Sequence, residues 1–302
     1  MRLTFDKSEH AAAALLIDCG FEEDLRDTGD LTSAALIAES DRGSVHVVAR
    51  TEGVLAGEPI AHMAFERLDS AVTWETQITD GSPLDVGAVI AIVSGPLRSL
   101  LTGERTALNF LTHLSGIATL TRKFVDAAEG TQARILDTRK TLPGYRVLQK
   151  YAVRAGGGTN HRLGLYDGVL IKDNHLAAWC GTDSGRTIAD AIARARENTP
   201  SGLSIEVEVD TLAQLTDALE GAPDIVLLDN MDCSTLRDAV ALRDTAAPAV
   251  LLEASGNVSL KTVADIARTG VDRISVGGLT HSAPVLDIAF DWPDARPTGG
   301  IE

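Results

Sequence analysis

The fold class follows from one stretch of the chain, residues 205–229, which reads IEVEVDTLAQLTDALEGAPDIVLLD. Ile205–Val209 and Ile225–Leu228 are short apolar runs of strand length, and Leu212–Leu219 between them has helical spacing. A strand, a helix and a second strand in this order predict two parallel strands joined by a crossover helix.

The same alternation extends over the second part of the chain. Further strand-length runs are Arg134–Asp137, Val169–Lys172, Ala249–Leu252 and Arg273–Val276, and further helical stretches are Ser234–Leu242 and Leu260–Arg268. A parallel sheet with crossover helices closes naturally into a βα barrel. Because the runs number six and not eight, we expect a short, incomplete α/β barrel.

The first third of the chain lacks this rhythm. The expected elements are a first helix including Ala11–Ile17, strands Val45–Arg50 and Gly53–Gly57 paired across Thr51–Glu52, a helix Pro59–Leu68, and strands Val72–Ile78 and Val89–Ser94. Leucines at helical spacing from Leu97 onward predict a long helix, and Gly116 is expected to end it. This part is therefore a mixed α and β unit.

Composition excludes several classes of protein. The chain has 302 residues, 44% hydrophobic and 23% charged, with a net charge of -16. That charge argues against non-specific nucleic-acid binding, which depends on neutralising phosphates. No stretch approaches the roughly 20 apolar residues of a membrane helix, and no signal peptide is recognisable. Cys19, Cys180 and Cys233 have no zinc-ligand or disulfide spacing; we expect buried thiols and a cytoplasmic protein.

Polar residues stand at or just past the end of each predicted barrel strand. They are Asp137–Lys140, Lys172–His175, Glu208, Asp229–Asn230, Ser255–Asn257 and Gly277–Gly278. Active sites of βα barrels lie at the carboxyl ends of the strands. Isolated polar strand ends are commonly helix caps or loops, but six in register predict a catalytic mouth.

The charges around this mouth predict an anionic ligand. Basic residues concentrate in one part of an acidic chain, at Arg139, Lys140, Arg146, Lys150, Arg154, His161, Arg162 and Lys172. Guanidinium groups bind carboxylates and phosphates with two parallel hydrogen bonds. Arg146, Lys150 and Arg154 recur every four residues, so a solvated helix face is an equally good interpretation of those three.

Three further features of the mouth leave alternatives open. Glu208 and Asp229 on neighbouring strands are oxygen ligands suited to Mg²⁺, or else capping or salt-bridged acids. Lys172 at a strand end could form a Schiff base, as in barrel aldolases. Glycine turns at Ser255–Asn257 and after Gly277 predict a phosphate cradle near a helix start.

Motifs along the chain resemble the quinolinate phosphoribosyltransferase family. In chain order they are Glu104–Thr106 with Asn109, His113–Ala118, Asp137–Thr141, Pro143–Gly144, Lys150–Val153, Gly156–Gly158, Asn160–Arg162, Ile171–His175, Glu206–Glu208, Leu228–Asn230 and Val276–Gly277. The likeness extends from about Leu31 to Asp291, in order and at the family's spacing.

The resemblance implies a domain organisation. An N-terminal α/β sandwich domain would occupy residues 1–116, and the incomplete, TIM-like α/β barrel would occupy residues 117–282. The C-terminal tail, residues 283–302, would pack back on the first domain. It also implies a homodimer, or a higher oligomer of dimers, in which the sandwich of one subunit covers the other's barrel mouth.

The resemblance also implies roles for individual side chains. Arg105 would reach across the dimer to quinolinate, Arg139, His161 and Arg162 would hold its carboxylates with Lys172 nearby, and Lys140 would lie close to both substrates. Glu208 and Asp229 would handle Mg²⁺ and the ribose. The remaining substrate-binding residues would be Thr138, Ser255, Gly256, Asn257, Val276, Gly277, Gly278 and His281. Asn257 and Gly278 depart from the family's common Gly and Ala, and Asn tolerates the left-handed conformation that such a turn needs.

The implied activity is that of a transferase of NAD biosynthesis, with Lys140, Lys172, Glu208 and Asp229 as catalytic residues. It would convert quinolinate and 5-phosphoribosyl-1-pyrophosphate to nicotinate mononucleotide, carbon dioxide and pyrophosphate, with Mg²⁺ as cofactor. The alternatives are a related protein such as the molybdenum-transport-associated homologue, a non-catalytic anion-binding protein, and an aldolase acting through Lys172.

Overall fold

A computed structural model describes residues 3–181 and 185–292 of the chain. These residues form two compact units. Within the described part, the first unit comprises the residues up to 122, residues 141–157 and the residues from 280 onward. The second unit comprises residues 123–140 and 158–279.

The helices and strands are numbered in chain order. The helices are α1 Lys7–Leu25, α2 Leu31–Leu36, α3 Glu58–Leu68, α4 Leu97–Ala127, α5 Arg146–Ala155, α6 Asp173–Cys180, α7 Ile188–Asn198, α8 Leu212–Glu220, α9 Cys233–Ala246, α10 Val263–Ala267 and α11 Gly278–His281. The strands are β1 Arg42–Ala49, β2 Gly53–Val54, β3 Thr73–Thr76, β4 Pro83–Leu84, β5 Val89–Pro96, β6 Arg134–Leu136, β7 Val169–Ile171, β8 Ile205–Val209, β9 Ile225–Asp229, β10 Leu251–Ser255, β11 Arg273–Ser275 and β12 Ile288–Asp291.

The helix starts of the first unit follow from local chemistry. The Asp6 side chain accepts hydrogen bonds from the backbone N–H groups of Ser8 and Glu9, and Glu9 accepts in return from the backbone of Asp6. This capping box satisfies backbone donors that the first turn of α1 cannot pair internally. The predicted first helix is confirmed.

The long helix after Leu97 is confirmed, but its predicted end at Gly116 is wrong. Helix α4 continues without a break for 31 residues. Gly116 is buried within it, and a Cβ at this position would lie 2.1 Å from the backbone oxygen of Pro284. The glycine therefore allows a close backbone approach inside a helix and does not terminate one.

The sheet of the first unit is antiparallel, with strand order β12-β1-β5-β3. Strand β1 pairs with β5 over most of its length and with β12 on its other side, where Val48 lies opposite Ala289. The predicted hairpin between the strands at Val45 and Gly53 is wrong, because β2 pairs with β4 instead. The described part of the tail thus contributes a strand to this sheet, and residues 293–302 lie outside the described residues.

The second unit contains a six-stranded parallel sheet with order β6-β11-β10-β9-β8-β7. The predicted strands are all present, and only the fifth is displaced, beginning at Leu251. In the described part of the chain no ladder joins β7 back to β6, so the barrel is incomplete. This confirms the predicted mixed α/β fold, with its N-terminal sheet domain and its parallel-strand domain.

Register in the parallel sheet determines which side chains share a face. Leu227 is paired with both Glu208 and Glu253, and Glu253 is paired with Arg273. Neighbours in register point to the same side of a sheet, as do residues two apart in one strand. Glu206 therefore lies on the same face as these residues, which we call the polar face.

Two interpretations of the basic and cysteine residues are corrected by the structure. Helix α5 contacts α1, and residues 141–157 belong to the first unit. The expected barrel domain, residues 117–282, includes them, so the observed units differ there from the expected division at residue 116. Lys150 on α5 is 1% exposed, and Arg154 pairs with Glu9 at 2.5 Å; neither belongs to a solvated helix face. The three cysteines are free. The expectation that they are buried is wrong, since Cys19 is exposed and Cys180 and Cys233 are partly exposed.

No helix among the described residues is both long and apolar enough to cross a membrane.

Candidate active site

The carboxyl ends of the six parallel strands place most of the predicted site residues at one edge of the sheet. Thr138, Arg139 and Lys140 follow β6, Lys172 follows β7, and Glu208 is the penultimate residue of β8. Asp229 and Ser255 end β9 and β10 and are paired in register. Val276, Gly277 and Gly278 follow β11. Strands that run parallel end at the same edge, which is why the sequence pattern brings these groups together.

An ion pair joins β7 and β8 at this edge. The Lys172 Nζ lies 2.5 Å from Glu208 Oε2, with the lysine side chain 45% exposed and the glutamate 14%. Lys172 is also the residue that precedes α6, and its backbone N–H donates to His175 Nδ1. Since the ammonium group is paired with a carboxylate, it is not presented as the free amine that a Schiff-base mechanism needs.

The turns after β9 and β10 are held together by asparagine side chains. Asn230 and Asn257 both have left-handed backbones, with φ of 52° and 48°, and Asn257 Nδ2 donates to Asn230 Oδ1 at 3.3 Å. Gly256 between them has a φ of 97°, and a Cβ there would lie 2.2 Å from Asn230 Oδ1. Asn257 thus adopts the left-handed conformation expected of it, and Gly256 gives the turn its room.

Asp137 anchors the turn that presents His161 and Arg162. It is fully buried, and it accepts hydrogen bonds from Asn160 Nδ2 at 2.5 Å and from the backbone N–H of His161 at 2.9 Å. The neighbouring Thr159 bridges to Leu136 in parallel fashion. These bonds extend the sheet by one short segment and place the two residues after it beside the strand ends.

Arg139 and Arg162 form a half-buried cationic pair. Burial and the like charge of Arg139 lower the pKa of Arg162, and the carboxylate of Glu206 opposes them. The Arg162 Nη1 donates to the backbone oxygen of Gly168 at 2.9 Å, whereas its buried Nε has no hydrogen-bond partner among the described residues. Two cations held together in this way have capacity for an incoming dianion.

Two acidic residues to which the sequence analysis gave no role lie directly beside His161. Glu206 and Glu253 are 3% and 0% exposed. The His161 Nε2 lies 3.0 Å from Glu206 Oε2 and 3.5 Å from Glu253 Oε1, and Arg273 Nε donates to Glu253 Oε2 at 2.6 Å. A carboxylate inside an apolar strand run, as in Leu251–Ser255, is the signal that could have found Glu253.

The ionisation of this cluster is shifted by its burial. Burial raises the pKa of Glu253, as does the charge of Glu206, while His161 and Arg273 oppose the rise. Burial lowers the pKa of His161, but the hydrogen bond and charge of Glu206 with the charge of Glu253 outweigh it, and the net direction is upward. His161, Glu206 and Glu253 include the ligand types of a metal site. Because Arg273 already supplies positive charge and Nε2 faces a carboxylate at hydrogen-bond distance, we assign a hydrogen-bond network.

The remaining predicted residues are placed as follows. Lys140 is exposed, and its backbone N–H donates to Thr138 Oγ1 at 3.0 Å. Arg105 is exposed on α4 of the first unit. His281 is exposed at the end of α11, with its Nδ1 2.6 Å from Ser282 Oγ. The contacts within the second unit therefore do not include Arg105 or His281.

Fold and site together define an α/β-barrel protein with a cluster of cationic and acidic side chains at the carboxyl ends of its strands. The chain matches two family models in sequence. They are the N-terminal domain of quinolinate phosphoribosyl transferase over residues 30–115 and its C-terminal domain over residues 117–291. The chain therefore belongs to the quinolinate phosphoribosyltransferase family.

Individual relatives agree with this assignment. The carboxylating nicotinate-nucleotide pyrophosphorylase of Mycobacterium leprae is 44% identical over 290 residues, covering 92% of this chain and all of the relative. Among solved structures, NadC from Streptococcus pyogenes is 37% identical, with a TM-score of 0.87 and coverage of 96% of this chain and 98% of its own. The nicotinate-nucleotide pyrophosphorylase from Francisella tularensis is 37% identical, with a TM-score of 0.85 and coverage of 93% and 96%. These names favour the enzyme over a transport-associated homologue or a non-catalytic binding protein.

Proposed function

We propose that the chain is a quinolinate phosphoribosyltransferase acting in NAD biosynthesis. It transfers the phosphoribosyl group of 5-phosphoribosyl-1-pyrophosphate to quinolinate, and it releases pyrophosphate and carbon dioxide to give nicotinate mononucleotide. The observation that carries this proposal is the half-buried pair of Arg139 and Arg162 at the strand ends. The chain's family and its relatives are named for this activity. A planar dicarboxylate is the kind of ligand that two guanidinium forks fit.

The site residues divide the two substrates between them. Arg139 and Arg162, with His161 behind them, receive the carboxylates of quinolinate, and Lys140 and Lys172 add positive charge beside both substrates. The Ser255–Asn257 turn and the residues Val276–Gly278, with Thr138 and His281, receive the 5-phosphate. The hydrogen bond between Asn257 and Asn230 after β10 and β9 supports this, because a phosphate turn must keep its backbone N–H groups aimed at the ligand.

The residues present fit a Mg²⁺ ion that also holds the pyrophosphate. Glu208 and Asp229 supply hard oxygen donors. Among the described residues, one oxygen of Glu208 pairs with Lys172 and one oxygen of Asp229 accepts a hydrogen bond from Asn230. One free oxygen on each residue suits an ion that takes its other ligands from substrate and water. When bound, the ion neutralises pyrophosphate charge as that group departs.

Catalysis by the chain itself is then mainly orientation and electrostatics. The C1–oxygen bond of the ribose breaks, pyrophosphate leaves with the electron pair, and the pyridine nitrogen attacks C1. The carboxylates of Glu208 and Asp229 stabilise the oxocarbenium-like charge that develops on the ribose. Loss of the adjacent 2-carboxyl group as carbon dioxide leaves an electron pair on C2, which the cationic ring nitrogen stabilises and which takes a proton. Two anionic substrates repel each other, so the cationic side chains between them supply much of the rate acceleration by holding both substrates in place.

We also propose that the active form is a symmetric homodimer, or an oligomer of such dimers, with shared sites. Arg105 has an exposed side chain on α4 of the first unit, although the family resemblance assigns it to quinolinate. An exposed arginine on a helix outside the parallel-sheet unit is explained if it completes the site of a second copy. A cytoplasmic location is supported by three cysteines that are free in the described chain.

The proposed function is tested by pyrophosphate release. Purified protein is mixed with phosphoribosyl pyrophosphate and Mg²⁺, with and without quinolinate, and pyrophosphate is followed by a coupled enzymatic assay. We expect release only when both substrates are present, and loss of release in Lys140→Ala. The control is Arg268→Ala, which removes an exposed arginine that follows α10 and pairs with Asp265; it should keep the wild-type rate. Release that ignores quinolinate would contradict the proposal.

A further inference from the structure

Glu206, Glu253 and Arg273 form a buried cluster with His161, and these three residues have no part in the proposed reaction. Its two carboxylates are almost completely removed from solvent, and one oxygen of each, Oε1, has no hydrogen-bond partner among the described residues. Burying two acids side by side is costly, and it persists in a fold only when other groups compensate for it. The charged hydrogen bond from Arg273 offsets the cost of burying Glu253. His161 Nε2 faces both carboxylates and offsets the cost for both, so the four side chains depend on one another.

The His161 ring uses both of its nitrogens within the protein. Its Nδ1 accepts a hydrogen bond from the backbone N–H of Arg162 at 2.8 Å, so this nitrogen carries no proton. Its Nε2 faces the carboxylates of Glu206 and Glu253 and therefore carries the proton. The ring has one favoured tautomer and one favoured orientation, both set by the acids behind it.

This ring is the link between the buried acids and the arginine at the strand ends. The bond to Nδ1 holds the backbone of Arg162, while the Nη1 bond to Gly168 holds its guanidinium. The charge of Glu206 also opposes the repulsion between Arg162 and Arg139. Glu206 thus acts on the cationic pair twice, through the ring and through space.

We propose that Glu206 and Glu253 are positioning residues for the dicarboxylate substrate, acting through His161 on Arg162. The inference rests on the proposed function, because it takes quinolinate as the ligand of Arg162. It changes the expected part of His161, whose ring nitrogens face the protein and not the substrate. Glu253 accepts a hydrogen bond from Arg273 on the neighbouring strand β11. Held in this way, Glu253 keeps Glu206 of β8 and the His161 ring in place.

The test is a double-mutant cycle read by quinolinate affinity. Glu206→Gln and Glu253→Gln keep the shape of each side chain and replace an accepting oxygen with a donating amide group. Isothermal titration with quinolinate should show each variant binding about ten- to a hundredfold more weakly, the loss expected when a hydrogen bond to a charged group is broken. The KM for phosphoribosyl pyrophosphate should stay within about twofold of wild type.

The cycle separates positioning from general destabilisation. In an Arg162→Ala background, Glu206→Gln should weaken quinolinate binding by less than about twofold, because the residue through which it acts is gone. The matched control is Asp272→Asn, which removes the charge that pairs with the buried Arg243 in the same unit. It should lower the melting temperature and leave quinolinate affinity unchanged.

Two results would overturn the inference. If wild-type protein binds quinolinate and both glutamine variants bind it equally well while remaining folded by circular dichroism, the acids do not position the site. If the losses from Glu206→Gln and Arg162→Ala simply multiply, the glutamate acts independently of the arginine. Absence of quinolinate binding in wild-type protein would instead refute the proposed function itself, and the inference with it.

Discussion

Replacing Arg162 with alanine should damage quinolinate recognition far more than it damages the fold. Among the described residues the Arg162 side chain donates one hydrogen bond, from Nη1 to Gly168 O, and it lies beside the like charge of Arg139. Losing that bond costs about 1 kcal/mol of unfolding free energy, and relief of the repulsion offsets part of it. A fall in melting temperature of roughly 2–4 °C is the most we expect.

The loss in substrate binding is larger because the partner is charged. Each charge-assisted hydrogen bond from the guanidinium to a carboxylate contributes about 1.5–3 kcal/mol, so one lost bond raises the dissociation constant of quinolinate roughly tenfold to a hundredfold. Arg162→Lys keeps the charge but lacks the planar fork, and it should fall between wild type and Arg162→Ala.

The assay combines quinolinate titration calorimetry with steady-state kinetics in each substrate. The KM for quinolinate should rise in Arg162→Ala, and the KM for phosphoribosyl pyrophosphate should change little. Arg268→Ala, which removes an exposed arginine paired with Asp265, controls for the loss of a surface charge. Wild-type affinity for quinolinate in a folded Arg162→Ala protein would refute the assignment of the cationic pair.

Three further predictions follow from other residues. Glu208→Ala and Asp229→Ala should each lower turnover by roughly tenfold or more and shift the Mg²⁺ dependence of the rate; normal rates across a magnesium titration would return both acids to a structural role. Burial raises the pKa of Asp80 from 3.8 to about 6, so its folded form binds a proton more tightly than its unfolded form. Stability contributed by this group is therefore present below about pH 4 and lost by about pH 6, a change of about 3 kcal/mol. In urea unfolding, the stability of Asp80→Asn relative to wild type should rise by about 3 kcal/mol between pH 4 and pH 7. A stability difference that does not change with pH would be inconsistent with the raised pKa of Asp80. Mixed dimers of Arg105→Ala and Lys140→Ala subunits should recover activity, since one of the two shared sites carries neither substitution; verified hybrids as inactive as their parents would disprove shared sites.

The parallel-sheet unit could be predicted from sequence because its information is local. Strands buried on both faces appear as short apolar runs, and the residue after each run is fixed at the edge of the sheet. Lys172, Glu208 and Asp229 were found in this way. The left-handed backbone of Asn257 was also predictable, because few residue types other than glycine tolerate it.

The features that sequence reasoning missed all depend on distant contacts. Gly116 lies inside α4, where the close approach of the Pro284 backbone requires a glycine. Strand β1 takes β5 and β12 as neighbours, not the strand next to it in sequence. Glu206 and Glu253 are ordinary polar residues in the sequence, and their role emerges only when β8, β10 and the His161 turn meet in three dimensions.

The central claim is tested most directly by the fate of the 2-carboxyl group of quinolinate. Purified protein is incubated with phosphoribosyl pyrophosphate, Mg²⁺ and quinolinate labelled with carbon-13 in that carboxyl group. Mass spectrometry then follows the dissolved carbon dioxide and the nucleotide. We predict labelled carbon dioxide and unlabelled nicotinate mononucleotide in equal amounts, with one pyrophosphate for each. A nucleotide that keeps the label, or no nucleotide at all, would contradict the account.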